Sequence, residues 1–383
     1  MRRVLAAGLL GLALASGPAR AEGVPPGSDV DAWSDRWVGD IRLRYDRVDG
    51  ALVGGRLTGQ REGGHETAAS AEFTYATGRA KGLYRLEARQ SLTADNRLHL
   101  DGEFHRLTRP FEYDTEIVGN MENTLAAFFF RNDYRDWYEG QGGRLALRAR
   151  PARGFGVTLA AAREEQRPLA REVGWGVFQA HRFRENPAAT AGQLNTLRLE
   201  LSHVPYSDGD ATGVLPFIEA PRERSGHALR LTAELGGGDF SYTLLRGEAR
   251  GYWRVTHGQT FTARVMAAAA TGHDDAGDLP AQKELYAGGI GTLRGHALKA
   301  YRGDRLLLAN AEYAVTVYRN FAAFAGLDVG RAWWAADGSS PRFACDAAAG
   351  VMTADGRLRA QWGRDTRGGG APVIFSVRTR ATF

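Results

Sequence analysis

The chain has 383 residues with a formal net charge of +5, 49 glycines, 13 prolines and a single cysteine, Cys345. One cysteine excludes an intramolecular disulfide framework. The positive balance is spread over arginines that alternate with acids, without the basic patch or module that nucleic-acid recognition needs, so nucleic acid is excluded as a partner.

Arg2 and Arg3 precede an apolar run from Val4 to Ala15, and Ala19-Arg20-Ala21 offers a small-x-small cleavage site. This predicts a signal peptide over residues 1–21; its apolar part is too short for a spanning helix. Residues 22–37 are expected to form a short periplasmic segment in which no domain can fold. After that, no stretch reaches the ~18 consecutive apolar residues of a membrane helix. No linker, charge block or low-complexity tract divides residues 38–383, which read as one module.

The dominant period in that module is two. Arg97, His99, Asp101, Glu103 and His105 share one face against Leu98, Leu100, Gly102 and Phe104. Leu229, Leu231, Ala233 and Leu235 oppose Arg230, Thr232 and Glu234 in the same way. In a soluble sandwich the apolar face would meet a second sheet; in a membrane barrel it meets lipid and the charged face lines the interior. Segments of 9–14 residues carrying both charge signs favour the barrel, since sandwich strands average five or six. The predicted strands are 38–46, 51–60, 66–77, 81–91, 97–107, 136–150, 154–165, 193–204, 225–236, 240–254, 259–272, 304–316, 319–332, 343–352, 356–365 and 372–383. The expected fold is therefore all-β, a single 16-stranded antiparallel transmembrane β-barrel, an even count as a bacterial single-chain barrel requires. Connections 108–135, 166–192 and 273–303 fall on one end. The twenty-residue stretch 205–224 falls on the other, against the rule that periplasmic turns are short. Residues 120–130 lack alternation and read either as a short helix over or inside the pore or as a surface loop.

In the connection before residue 304, Gly288, Gly289 and Gly291 permit positive φ and close backbone approach, and they lead into Leu293-Arg294-Gly295. Glu312 and Asp328 follow on charged strand faces opposed by apolar neighbours. This order resembles the barrel domain of the BamA/TamA-type outer-membrane superfamily, the bacterial surface antigen family. There the loop between the eleventh and twelfth strands folds into the lumen and its arginine meets acids on the following strands. The resemblance implies that Arg294 pairs with Glu312, Asp328 or both. His296 stands where the family usually has an aromatic. The Tyr45–Gly50 stretch, and Glu122-Asn123 followed by Asp133–Tyr138, also look like stand-alone members. In the last strand, Phe375, Val377 and the terminal Phe383 resemble the tag read by the barrel assembly machinery.

No nucleophile elbow, His-Glu-x-x-His or Cys/His zinc spacing is present. No catalytic residue, metal or cofactor is expected, and Arg163-Glu164-Glu165 and Asp274-Asp275 read as solvated loop charge. The resemblance implies a Gram-negative outer-membrane barrel, reached after signal-peptide export, in a form lacking the periplasmic POTRA domains. Its implied role is assisting insertion or translocation of another molecule, with a weakly paired seam between first and last strands. The alternatives are a passive porin-like channel or a structural surface antigen. Implied partners are outer-membrane lipid and lipopolysaccharide, the assembly machinery during biogenesis and a periplasmic protein that would replace the missing domains; a monomer is expected.

Overall fold

The computed structural model describes residues 35–61, 65–111, 118–178, 181–204, 225–273, 279–338, 341–353, 358–368 and 373–378. The expected signal peptide, the stretch 205–224, Asp274-Asp275 and Phe383 lie outside these. Among the described residues, one antiparallel sheet takes sixteen strands in chain order: β1 (Asp35–Asp46), β2 (Gly50–Arg61), β3 (Thr67–Ala76), β4 (Lys81–Ser91), β5 (Leu98–Pro110), β6 (Trp137–Ala149), β7 (Phe155–Pro168), β8 (Gly192–His203), β9 (Gly226–Gly238), β10 (Ser241–Thr256), β11 (Gln259–His273), β14 (Arg305–Tyr318), β15 (Phe321–Trp333), β16 (Ala344–Thr353), β17 (Arg359–Asp365) and β18 (Ile374–Arg378). The predicted all-β, 16-stranded antiparallel barrel is borne out. Two three-residue strands, β12 (Leu285–Ala287) and β13 (Tyr301–Gly303), pair with each other inside the β11–β14 connection. One α-helix, α1 (Asn120–Phe130), lies in the β5–β6 connection.

Burial along the strands is inverted relative to a protein dissolved in water. On β9, Arg230, Thr232 and Glu234 are buried while Leu229, Leu231 and Leu235 are exposed. The same holds on β10 for Arg246, Glu248 and Arg250 against Leu245. Exposed leucines outside and buried charges inside are stable when hydrocarbon covers the outer face and charged neighbours fill the inner one. Outward-facing Trp253, Tyr318, Phe321 and Phe155 cluster at the end with short turns, where an aromatic girdle meets the membrane surface.

The inner face is held by ladders of ion pairs rather than by oil. Arg230, Arg250 and Arg264 converge on Glu248. Glu164 belongs to such a ladder, which corrects its reading as solvated loop charge. It is buried on β7, where His105 Nε2 approaches it at 2.9 Å and Arg109 Nη1 donates to it at 2.9 Å. The strand continues to Pro168, so Arg163-Glu164-Glu165 alternates in and out rather than leaving the wall. An apolar patch interrupts the charge on β10, β11 and β14, formed by Leu244, Met266 and Leu308.

Candidate functional site

The β11–β14 connection folds onto that apolar patch. Ile290 and Leu293 are buried against it, and Leu293 is fully excluded from solvent. Gly288, Gly289 and Gly291 adopt φ of +121°, +83° and +81°, a region that costs other residues energy, and so turn the chain into the lumen. Arg264 on β11 donates from Nη1 to the Gly291 carbonyl at 2.9 Å, tying the loop to the wall.

Arg294 then reaches two strands at once. Its Nε and Nη2 donate to Asp328 Oδ2 and Oδ1 at 2.7 and 2.8 Å, a bidentate fork. Nη1 donates to Glu312 Oε2 at 3.1 Å, and the backbone N–H of Arg294 donates to Asp328 Oδ2 at 3.2 Å. Burial works against the guanidinium charge, but Asp328 and Glu312 outweigh it, and the Arg294 pKa stands above the ordinary arginine value. Glu312 also accepts from Arg359 Nη2 at 2.5 Å, and Asp328 from Asn310 Nδ2 at 2.8 Å. Every charge in this buried set therefore has a partner, as a low-dielectric site demands.

Next to it, Gly295 N–H and His296 Nδ1 meet the two oxygens of Asp346 at 2.6 and 2.8 Å. The imidazole at the position of the family's aromatic thus faces a carboxylate, and its ring lies 5.3 Å from that of Tyr301. His296, Asp346 and Asp365 bring donor atoms within 4.8 Å of one another. Both ring nitrogens are already engaged, Nδ1 by Asp346 and Nε2 by the Tyr301 hydroxyl at 3.0 Å, so the cluster is a hydrogen-bond network first.

Small residues make the slot. A Cβ at Gly326 would lie 2.5 Å from Arg294 Nη2, one at Gly363 2.2 Å from the Arg294 carbonyl oxygen, and one at Gly295 2.3 Å from the Arg364 backbone. Asp346, Arg359, Gly326 and Gly363 were not singled out from the sequence. A lone acid among alanines on β16, and a lumen-facing glycine in register with Glu312, are the signals that Asp346 and Gly326 leave.

A second buried cluster lies at the end that carries the long connections. Arg47, in the β1–β2 turn, donates from Nη2 to Asp136 Oδ1 and Asn186 Oδ1, both at 2.9 Å, and from Nη1 to the Arg135 carbonyl at 2.7 Å. Asp136 also pairs with Arg184 at 2.5 Å and with Lys299 of the lumenal loop at 2.5 Å. One carboxylate therefore joins the β1–β2 turn, both long connections after β5 and β7, and the arginine loop. Burial raises the Asp136 pKa, but Lys299, Arg184 and Arg47 more than reverse this and hold it below the usual carboxylate range.

Helix α1 lies between the two ends of the sheet. The Tyr45 N–H of β1 donates to the Thr124 hydroxyl at 3.4 Å, and Arg378 Nε of β18 donates to Glu122 Oε1 at 3.1 Å. Both members of the Glu122–Arg378 pair are buried. Asn123 donates to Asp133, whose other oxygen accepts from the Arg47 N–H, so the helix is also tied to the mouth cluster. Phe375 and Val377 are exposed on β18.

Comparison with known proteins agrees with this architecture. The model of the Omp85 superfamily domain matches residues 221–349, which include the arginine loop, Glu312, Asp328 and Asp346. No curated protein sequence matches the chain. The crystal structure of BamA from Haemophilus ducreyi lacking POTRA domains 1–3 is similar over 90% of this chain and 70% of that one, with a TM-score of 0.57 and 12% identity. CdiB from Acinetobacter baumannii covers 90% of this chain and 59% of its own at a TM-score of 0.46 and 12% identity; CdiB from Escherichia coli covers 91% and 62% at 0.48 and 15%. The chain thus spans less than two thirds of either CdiB, and the fold comparison rests on BamA. Residues 221–349 thus match an Omp85 superfamily domain, and the sixteen-stranded sheet that holds them is similar in fold to the BamA barrel, as a BamA/TamA-type barrel would be.

Proposed function

We propose that this protein assists the insertion or translocation of another molecule at the outer membrane, with the seam between β1 and β18 as its working edge. The observation that supports this most is α1. It reaches β1 through Thr124 and β18 through Glu122, so side chains of one helix hold both the first and the last strand of the sheet. Strand edges are templates for added strands, and a side-chain bridge separates at lower cost than a full ladder of backbone bonds. The lumenal loop, by contrast, is fixed at three wall carboxylates and forms the rigid side of the device.

Outer-membrane lipid and lipopolysaccharide would bathe the outer face. The assembly machinery would meet the β18 end, and a periplasmic protein would deliver the client. No catalytic chemistry is proposed.

Planar-bilayer recording tests the reading. Brief, irregular openings whose frequency changes in Arg294→Ala are expected. A steady, ion-selective conductance indifferent to that substitution would instead establish the passive pore.

A further inference from the structure

Toward the end with short turns, the lumenal faces of β2–β6 enclose a cavity of about 220 Å³ lined by more cations than anions. Arg56 and Arg85 meet at Glu87, at 2.5 and 2.9 Å, and Arg85 also reaches Glu103 at 3.0 Å. Arg89 and Arg148 share Asp101 at 2.7 and 2.8 Å. The Arg144 side chain, on the same wall, makes no ion pair or hydrogen bond with any described residue. The charges that act on it most strongly are the cations Arg148, Arg198 and Arg109 and the carboxylate of Glu103. Five guanidinium groups and three carboxylates therefore line one cavity, a surplus of two positive charges. Among the described residues, Arg56 Nε and Arg85 Nε are also buried with no hydrogen-bond acceptor.

We infer that this cavity binds a phosphate-type dianion at Arg144. A cation held among cations in a partly desolvated wall calls for a counter-charge. A guanidinium fork matches the paired oxygens of a phosphate better than it matches a spherical halide. Phosphate monoesters carry about −1.5 to −2 at neutral pH, which fits the surplus. The phosphate of a lipid headgroup shares this chemistry. The cavity, however, opens on the lumenal face, with the strand wall between it and the bilayer, so the ligand assigned is a soluble phosphate.

The test is thermal unfolding of the full barrel in detergent, titrated with inorganic phosphate against sodium chloride at matched ionic strength. Saturable stabilisation by phosphate is expected, with apparent affinity about tenfold or more weaker in Arg144→Gln, the loss of one charge-assisted fork. Arg97→Gln, on an exposed turn outside the cavity, should retain the native affinity. Should Arg144→Gln fail to fold, Arg144→Lys keeps the charge without the fork and is expected to weaken binding in the same direction. Short-chain phosphatidic acid, below its micelle concentration, forms a second arm. Binding of that lipid but not of inorganic phosphate would overturn the soluble source. Equal effects of phosphate and chloride, or undiminished phosphate binding in both Arg144 variants, would overturn the site.

Discussion

Arg294 commits its backbone N–H and three guanidinium nitrogens to two carboxylates that no water can easily reach. Removing it leaves Asp328 and Glu312 buried with reduced compensation, so Arg294→Ala should destabilise the barrel by about 3–5 kcal/mol, read from urea unfolding in lipid vesicles. Arg294→Ala combined with Asp328→Ala should cost less than the sum of the single losses, because the second change removes a charge the first has orphaned; strict additivity would refute the coupling. Asp136 makes a different prediction at this scale. A folded pKa below the unfolded value of about 3.9 means that its stabilisation is complete above that value. The stabilisation is then lost as pH falls through the depressed folded pKa. Protection of the amides of residues 181–191 and 296–304, taken relative to the intrinsic exchange rate at each pH, should therefore be unchanged between pH 7 and 5 and fall below about pH 4. Asp136→Asn should show reduced protection already at neutral pH and lose that acid step.

Among the elements, α1 carries the clearest expectation. Glu122→Arg or Arg378→Glu alone would set like charges 3.1 Å apart in a buried contact, and each should raise seam opening in bilayer recordings by about tenfold, equivalent to 1.4 kcal/mol. The exchanged pair, Glu122→Arg with Arg378→Glu, should return the frequency toward the native value. Failure of the exchange to rescue would remove α1 from the seam's energetics. That residues 120–130 leave the strand pattern was legible, since Leu125–Phe130 has no alternation. Where the helix sits was not, because it depends on which strands begin and end the sheet. The same limit applies to the loop. Gly288, Gly289 and Gly291 announce their turns locally, whereas Asp346 meets Gly295 and Arg359 meets Glu312 across 51 and 47 residues of chain, through a register that only the assembled wall sets. Glu164 was misread for a local reason: three consecutive charges at the end of the predicted strand 154–165 look solvated, until the strand is known to run on to Pro168.

For the whole molecule, the deciding physics is what touches the exposed leucines. Period-two alternation was enough to read sixteen strands, because each crossing repeats the same contrast and errors at one boundary do not propagate. Alternation alone does not say which face is wet. The structure turns it into a measurable asymmetry on β9, where Leu231 is 58% exposed and its neighbour Thr232 is 4% exposed. In a protein dissolved in water, an arginine at a position as open as Leu231 would change stability by less than about 0.5 kcal/mol. In a bilayer the same position lies mid-strand against hydrocarbon, and Leu231→Arg should cost about 2–4 kcal/mol. The cost should fall toward zero when the same replacement is made at Leu235, nearer the end of the strand. Urea titrations of refolding into lipid vesicles would measure both. A neutral Leu231→Arg, with no dependence on depth along β9, would mean that lipid does not cover this face, and the barrel would have to be reread as a water-soluble sheet.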